Sequence, residues 1–383
     1  MRECDFLVIG AGIAGASAGY ELTAHGRVIL LEREDMPGYH TTGRSAAHYT
    51  ETYGNETVRR LTKASRRFYE HPPAGFVDHP LLHPRGVMYV AREDQLAKLS
   101  DILTEVRALT PSVRQINFDE AARMVPVLSP DYVTAALYEP EAMDIDVHAL
   151  LHGYLKGVSR RAGEVITDAE IVRLSHAGGR WRAETRAGVF VAPIVVNAAG
   201  AWCDELAELA GVRPIGLIPK RRTVVTFDAP PRVDLQTWPL VIDIDEGFYF
   251  KPEAGRILAS PADETPVPPC DVQPEELDVA IAIDRVEKAT TLEVRHIRHK
   301  WAGLRNFVED KCPVAGRDDE SEGFVWLAGQ GGSGIQTAPA LARAVAGLVA
   351  TGQLPNDLEA VGLSAAVLTP GRIQRSRRRL GGH

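Results

Sequence analysis

Glycine stands at three positions where a phosphate-binding turn needs it: Gly10, Gly12 and Gly15, within Asp5-Phe-Leu-Val-Ile-Gly-Ala-Gly-Ile-Ala-Gly15. Gly10 lets the backbone turn sharply, Gly12 lets a pyrophosphate approach the main chain, and Gly15 lets the next helix pack on the strand. Ile13 and Ala14 open that helix, whose N-terminus offers free N–H groups and partial positive charge to phosphate. Glu32 follows twenty residues after Gly12, where an acid can bind ribose hydroxyls. A carboxylate there repels a 2′-phosphate, so NADP is not expected. Two further stretches are built of small residues, Thr41-Thr-Gly-Arg-Ser-Ala-Ala-His48 and Gly329-Gln-Gly-Gly-Ser-Gly-Ile-Gln336. In the first, Gly43, Ser45, Ala46 and Ala47 would let N–H groups approach a planar ring or a phosphate, although an ordinary surface loop fits them as simply.

Elements must hold these stretches in place. Phe6–Ile9 and Val28–Leu31 read as buried parallel strands around a helix over residues 14–22. Ile194-Val-Val-Asn-Ala-Ala-Gly200 is a second strand with a small-residue turn, followed by a helix over 201–209. Residues 323–328 form a third apolar strand, leading through the second glycine stretch into a helix over 338–351. Between these lie helical patterns over 56–69, 93–109, 118–125 and 276–289. Strands are expected over 86–91, 135–138, 164–174, 180–191, 223–227, 240–244 and 247–250. The order implies an α/β composite: a nucleotide-binding domain from residues 1–50, 140–220 and 300–383, and a mixed, antiparallel-rich domain from 51–139 and 221–299.

The 383 residues suffice for two domains, and 45% hydrophobic with 25% charged content suits a soluble enzyme. A net charge of −8 argues against a general nucleic-acid binder. Cys4, Cys203, Cys270 and Cys312 are scattered, which fits a reducing compartment without structural zinc or disulfides. With no leader-like start and no apolar run of eighteen residues, a cytoplasmic location is expected. Arg372, Arg375, Arg377, Arg378 and Arg379 form a basic tail, either a solvated end or a weak contact for an anionic membrane surface.

Together, residues 5–15 with Glu32, Thr42-Gly-Arg-Ser-Ala46, Val195-Val-Asn-Ala-Ala-Gly-Ala-Trp202 and Gly329 to Gln336 resemble the D-amino acid oxidase family of FAD-dependent oxidoreductases. The likeness runs through nearly the whole chain and is nearest to the bacterial D-arginine dehydrogenase type. It implies a Rossmann-like FAD-binding domain and a non-covalent FAD held by Gly10, Gly12, Ile13, Ala14, Gly15, Glu32, Arg33, Thr42, Gly43 and Arg44. Ser45, Ala46, Ala47, His48, Ile171, Val172, Ala199, Gly200, Trp202, Gly303 and Arg305 complete that cradle. Gly331, Gly332, Ser333, Gly334, Ile335 and Gln336 would face the flavin, where a helix N-terminus stabilises the negative charge of its reduced form. Cys312 directly precedes Pro313, whereas the tethering cysteine of sarcosine oxidases lies several residues before the matching proline.

The same resemblance makes Arg222 and Arg305 a carboxylate clamp, with Tyr53 and Tyr249 adding O–H donors. A fixed α-carboxylate directs the Cα–H of a D-amino acid towards flavin N5. Hydride transfer then yields an imino acid, which hydrolyses to a 2-oxo acid and ammonia. His48 suits either taking the amine proton or positioning by hydrogen bonds, and Gln336 suits orientation. Arginine-selective relatives carry glutamate where this chain has Val87, and tyrosine where it has Ser333. With Thr50, Leu240 and Ile242 as further wall residues, neutral or apolar side chains are expected to be preferred. The electron acceptor is expected to be quinone-like or O2. The alternatives are a secondary amine, an imino acid or a larger amine-bearing natural product as substrate.

Overall fold

The computed structural model describes residues 1–231 and 233–373. Arg375 and Arg377 to Arg379 of the basic tail lie outside the described residues. Arg372 lies within them, and its guanidinium donates to the Asp310 carboxylate and the Cys312 carbonyl.

Five strands run parallel in one sheet, in the order Glu164–Ile166, Val28–Leu31, Phe6–Ile9, Ile194–Asn197 and Phe324–Ala328. Val314–Arg317 joins antiparallel at the far edge. Alternating side chains fill two cores. Val8, Leu30, Val196, Val325 and Leu327 face the helices Ile13–Leu22, Val147–Arg160 and Gly334–Ala350. Leu7, Ile9, Ile29, Val195, Phe324 and Trp326 face a four-stranded sheet, which contributes Trp181 and Phe190, and the helix Cys203–Leu209. Burial on both faces explains why these strands read as unbroken apolar runs.

Nine strands form the second large sheet, mostly antiparallel. Its longest pairing joins Ile218–Phe227 to Ile297–Phe307, which carry Arg222 and Arg305 respectively. Leu240–Asp243 runs parallel to Val87–Ala91, and antiparallel to Tyr249–Glu253. The boundary expected at residue 300 falls inside the strand Ile297–Phe307.

Several expected elements differ, among them the strand expected over 223–227, which begins five residues earlier at Ile218. The single strand over 164–174 is two, Glu164–Ile166 and Ile171–Ala177, in different sheets. Asp168, at φ 52°, turns the chain between them. The run over 180–191 is a hairpin of Arg180–Thr185 and Gly188–Ala192, bent at Arg186 and Ala187. The last long helix starts four residues early, at Gly334, and carries Pro339 in its second turn, where the Ile335 carbonyl left without its helical N–H accepts from the Tyr69 hydroxyl.

Candidate active site

An elongated cavity of about 390 Å³ runs from the C-terminal ends of the parallel strands to the nine-stranded sheet. At its first end Gly12 caps the helix Ile13–Leu22. Gly10, at φ 101°, brings its Cα so close to Ala198 that a Cβ would lie 2.5 Å from that carbonyl oxygen. The Glu32 carboxylate is fixed by N–H donors from Ala11 at 2.8 Å and Glu34 at 3.1 Å. Thr42 accepts from the Ile13 N–H through Oγ1, tying the loop after Tyr39 to the glycine turn. Arg33, Ile171, Ala199, Gly200 and Trp202 close this end, with the Arg33 guanidinium 4.7 Å from the centre of the Trp202 ring. Along the middle, Arg44, Ser45, Ala46, Ala47 and Gly303 face Gly331, Gly332, Gly334, Ile335 and Gln336.

Four residues expected at the cofactor lie outside the lining. Gly15 packs against the Gly10 carbonyl, leaving no room for a side chain. The Gly43 N–H donates to the Gly38 carbonyl at 2.7 Å, closing a turn behind the cavity. Val172 is exposed at an irregularity in strand register between Ile171 and Arg173, which turns it away from the face that buries Leu174. Ser333 is buried as the cap of the last long helix, and its hydroxyl donates to the Gln330 carbonyl at 2.8 Å. It therefore shapes the loop without facing the substrate end.

At the second end, two guanidinium groups converge. Arg222 is held by donation from Nε to the Asp263 carbonyl at 2.9 Å. Burial and the neighbouring Arg305 both depress its proton affinity. Arg305 donates to the Tyr53 hydroxyl at 3.3 Å and has no ion pair among the described residues. Burial works against its charge, but Tyr53, Tyr249 and Glu246 hold its pKa above the ordinary value. Such a site is short of one anion. Tyr53, Tyr249, Thr50, Leu240 and Ile242 line the same end.

Val87 does not. It is fully buried with Ala142 and Leu240, one layer behind the cavity wall. Leu240 pairs beside it in register and covers it. Two residues further along the same strand, Tyr89 takes the wall position that sequence reasoning gave to Val87. Glu246, at φ 56° in a turn, was also missed. Neither carries a spacing signal of its own.

His48 lines the cavity with its Nε2 buried and unpartnered among the described residues, while Nδ1 lies 3.2 Å from Asp144. Burial lowers the proton affinity of the ring, and nearby Lys251 and Arg85 lower it further. Asp144 also accepts from Lys251 at 2.9 Å and Arg85 at 2.7 Å. Burial opposes its charge, yet His48 and Lys251 keep its carboxyl well below the usual range. Gln336 is committed at both ends, accepting from the Thr50 N–H at 3.2 Å and donating to Thr62 Oγ1 at 2.9 Å. It fixes Thr50 in place.

Residues 5–348 match the model of DAO, the FAD dependent oxidoreductases. The chain belongs to that family. Glycine oxidase of Geobacillus kaustophilus is 24% identical over 92% of this chain and 95% of its own. The hydrogen cyanide synthase subunit HcnC of Pseudomonas aeruginosa is 23% identical over 93% and 95%. Among solved structures, L-proline dehydrogenase from P. horikoshii superposes with a TM-score of 0.84 at 22% identity, covering 98% of this chain and 99% of that one. The cofactor of the family is FAD, and the cavity fits it. A fixed carboxylate, a glycine turn at a helix N-terminus and a second glycine loop occupy one elongated space. None of the four cysteines lines that space.

Proposed function

We propose that the protein oxidatively deaminates D-α-amino acids with neutral or apolar side chains, using FAD. The observation that carries this reading is the pair Arg222 and Arg305, buried together at the cavity end without a carboxylate partner for Arg305 among the described residues. Two guanidiniums and two tyrosine hydroxyls are a receptor for one carboxylate, bound through paired charge-assisted hydrogen bonds. The parallel-sheet segments hold the cofactor, and the nine-stranded sheet supplies the clamp.

FAD, when bound, supplies the two-electron acceptor for oxidation of the amine. The protein's own groups fix the carboxylate and leave the amine facing the buried, unpartnered His48 Nε2, a neutral acceptor for one N–H. The clamp thereby limits the motion of the Cα–H. Leu240, Ile242 and Tyr89 supply the side-chain wall. A cationic side chain against that wall would cost several kcal/mol without a partner, against the roughly 1.5–3 kcal/mol gained by burying an aliphatic one. Glu246 is the acid at this end, and its charge supports Arg305. A quinone-like compound or O2 would serve as the final electron acceptor.

The test is anaerobic mixing of the holoenzyme with D- and L-amino acids while flavin absorbance is followed. Apolar D-amino acids are expected to bleach it fastest. Highest kcat/KM with D-arginine would overturn the side-chain assignment, and bleaching by L-isomers would overturn the stereochemistry. Bleaching by sarcosine or proline alone would move the reading to secondary amines, the class that includes the substrate in the name of L-proline dehydrogenase.

A further inference from the structure

Glu139 ends the strand Ala135–Glu139, and only 1% of its surface is exposed. Its Oε2 accepts from the hydroxyls of Thr50 at 2.7 Å and Thr52 at 2.6 Å, and its Oε1 accepts from the Glu51 N–H at 2.9 Å. No cation pairs with it among the described residues. A buried carboxylate solvated by three neutral donors is costly for structure alone, because desolvation is not offset by an opposite charge.

Its surroundings give that carboxylate a task. Thr50 lines the main cavity. Thr52 Oγ1 lies 3.2 Å from the hydroxyl of Tyr89, which lines the same cavity. Glu139, Thr52 and Tyr89 also line a second cavity of about 170 Å³ on the far side of Tyr53 and Tyr89. That cavity mixes apolar side chains with Thr52, Tyr53, Arg59, Glu139 and Glu246, is rimmed by the exposed Gly54 and Glu246, and has room for water. The carboxylate thus stands between the substrate end and a water-accessible space, one hydroxyl from the first and in contact with the second.

We propose that Glu139 is the proton relay of the site: through the Thr50 hydroxyl it takes the proton that an ammonium substrate must lose, and passes it to water in the second cavity. The inference rests on the amine-oxidising reading above. An N–H bond of the ammonium breaks as an O–H bond forms on Thr50. The original Thr50 proton moves to Glu139 Oε2, and the nitrogen keeps the electron pair. No electron is transferred in this step. His48 is the poorer resting place, because burial, with Lys251 and Arg85 behind it, lowers its proton affinity even against the pull of Asp144.

The groups facing Glu139 agree. Burial raises its proton affinity, the three donors oppose this, and the neighbouring Glu51 carboxylate adds to the rise. Glu51 is itself held by the Tyr49 hydroxyl and Arg66. Tyr89 stays protonated because burial and Glu139 raise its pKa. From the second cavity Arg59, Tyr53 and Glu246 face the site, and Arg59 is paired with Glu105.

The experiment compares wild type, Glu139→Gln and Thr50→Val holoenzymes in anaerobic flavin reduction across pH. Below the pKa of the substrate amine, Glu139→Gln is expected to lower the limiting rate by about 10²-fold, with KM little changed. The loss should fade at high pH, where the amine is already neutral. Thr50→Val cuts the same path from the cavity side and is expected to show the same pH-dependent loss, which decides the matter should Glu139→Gln fail to fold. A Glu139→Gln or Thr50→Val profile that tracks wild type at every pH overturns the relay. A second readout needs no turnover: an infrared band of a protonated carboxyl should titrate above the ordinary carboxylate range in wild type, and that component should be absent in Glu139→Gln. A band that does not titrate overturns the relay even if no amino acid reduces the flavin, an outcome that would separately overturn the proposed reaction.

Discussion

Single side chains decide what this cavity can hold. Arg305 is the clearest case, since its neighbours support its charge and none neutralises it at ion-pairing distance among the described residues. Arg305→Leu is expected to cost about 1.5–3 kcal/mol of substrate binding, read as roughly a 10- to 10²-fold rise in KM for amino acids. Amines lacking a carboxylate should lose almost nothing, and steady-state kinetics with matched pairs checks this. Asp144 makes a different prediction. Its folded pKa lies below the unfolded value of about 3.9, so its contacts with Lys251, Arg85 and His48 stabilise the fold above that value. That contribution is lost as pH falls through the folded pKa. Asp144→Asn should therefore destabilise at neutral pH by about 1–3 kcal/mol, because Arg85 and His48 lose their carboxylate and Lys251 keeps only its pair with Glu253. The deficit should shrink under acid, as denaturant titrations at two pH values would show.

Elements carry these side chains, and here the chain was unevenly legible. The strand, glycine turn, helix and Glu32 could be read from Asp5 to Glu32 because each needs a distinctive residue type at fixed spacing. The strand Ile297–Phe307 could not, since its first four residues are exposed and largely cationic and show no alternation. Arg305 was found through its motif, without the strand that aims it. The exchange of Val87 for Tyr89 on the wall was hidden for a related reason. Periodicity gives the face of a strand but not how far along it a cavity extends. Glu139 had one signal, an acid closing the apolar run of Ala135 to Tyr138, and it reads equally well as a turn residue. Gly331 tests the second loop: at φ 56°, a Cβ would collide with the Phe307 ring. Gly331→Ala is expected to cost at least 1–2 kcal/mol from the backbone conformation alone and to weaken FAD retention, measured by flavin release on dilution.

At the scale of the whole molecule, the cofactor cradle and the substrate clamp are sewn together. Thr41 donates to the Leu304 carbonyl at 2.8 Å, Arg44 to the Ala302 carbonyl at 3.2 Å, and Trp301 Nε1 to the Arg44 carbonyl at 3.1 Å. Asn306 bridges to Gly331. FAD at a hundred times its Kd should add about 2.7 kcal/mol to stability, and calorimetry should show the unfolding transition rising as one cooperative unit. No described helix is long and apolar enough to cross a membrane. The strand Ile297–Phe307 has a historical consequence as well. It lends its carbonyls to Thr41 and Arg44 and, in the proposed reading, its Arg305 to the substrate, so neither half can be exchanged for a foreign one without severing the other. New substrate preferences in such a chain must arise by replacing side chains in place, at positions such as Tyr89, Leu240 and Ile242, and not by shuffling domains.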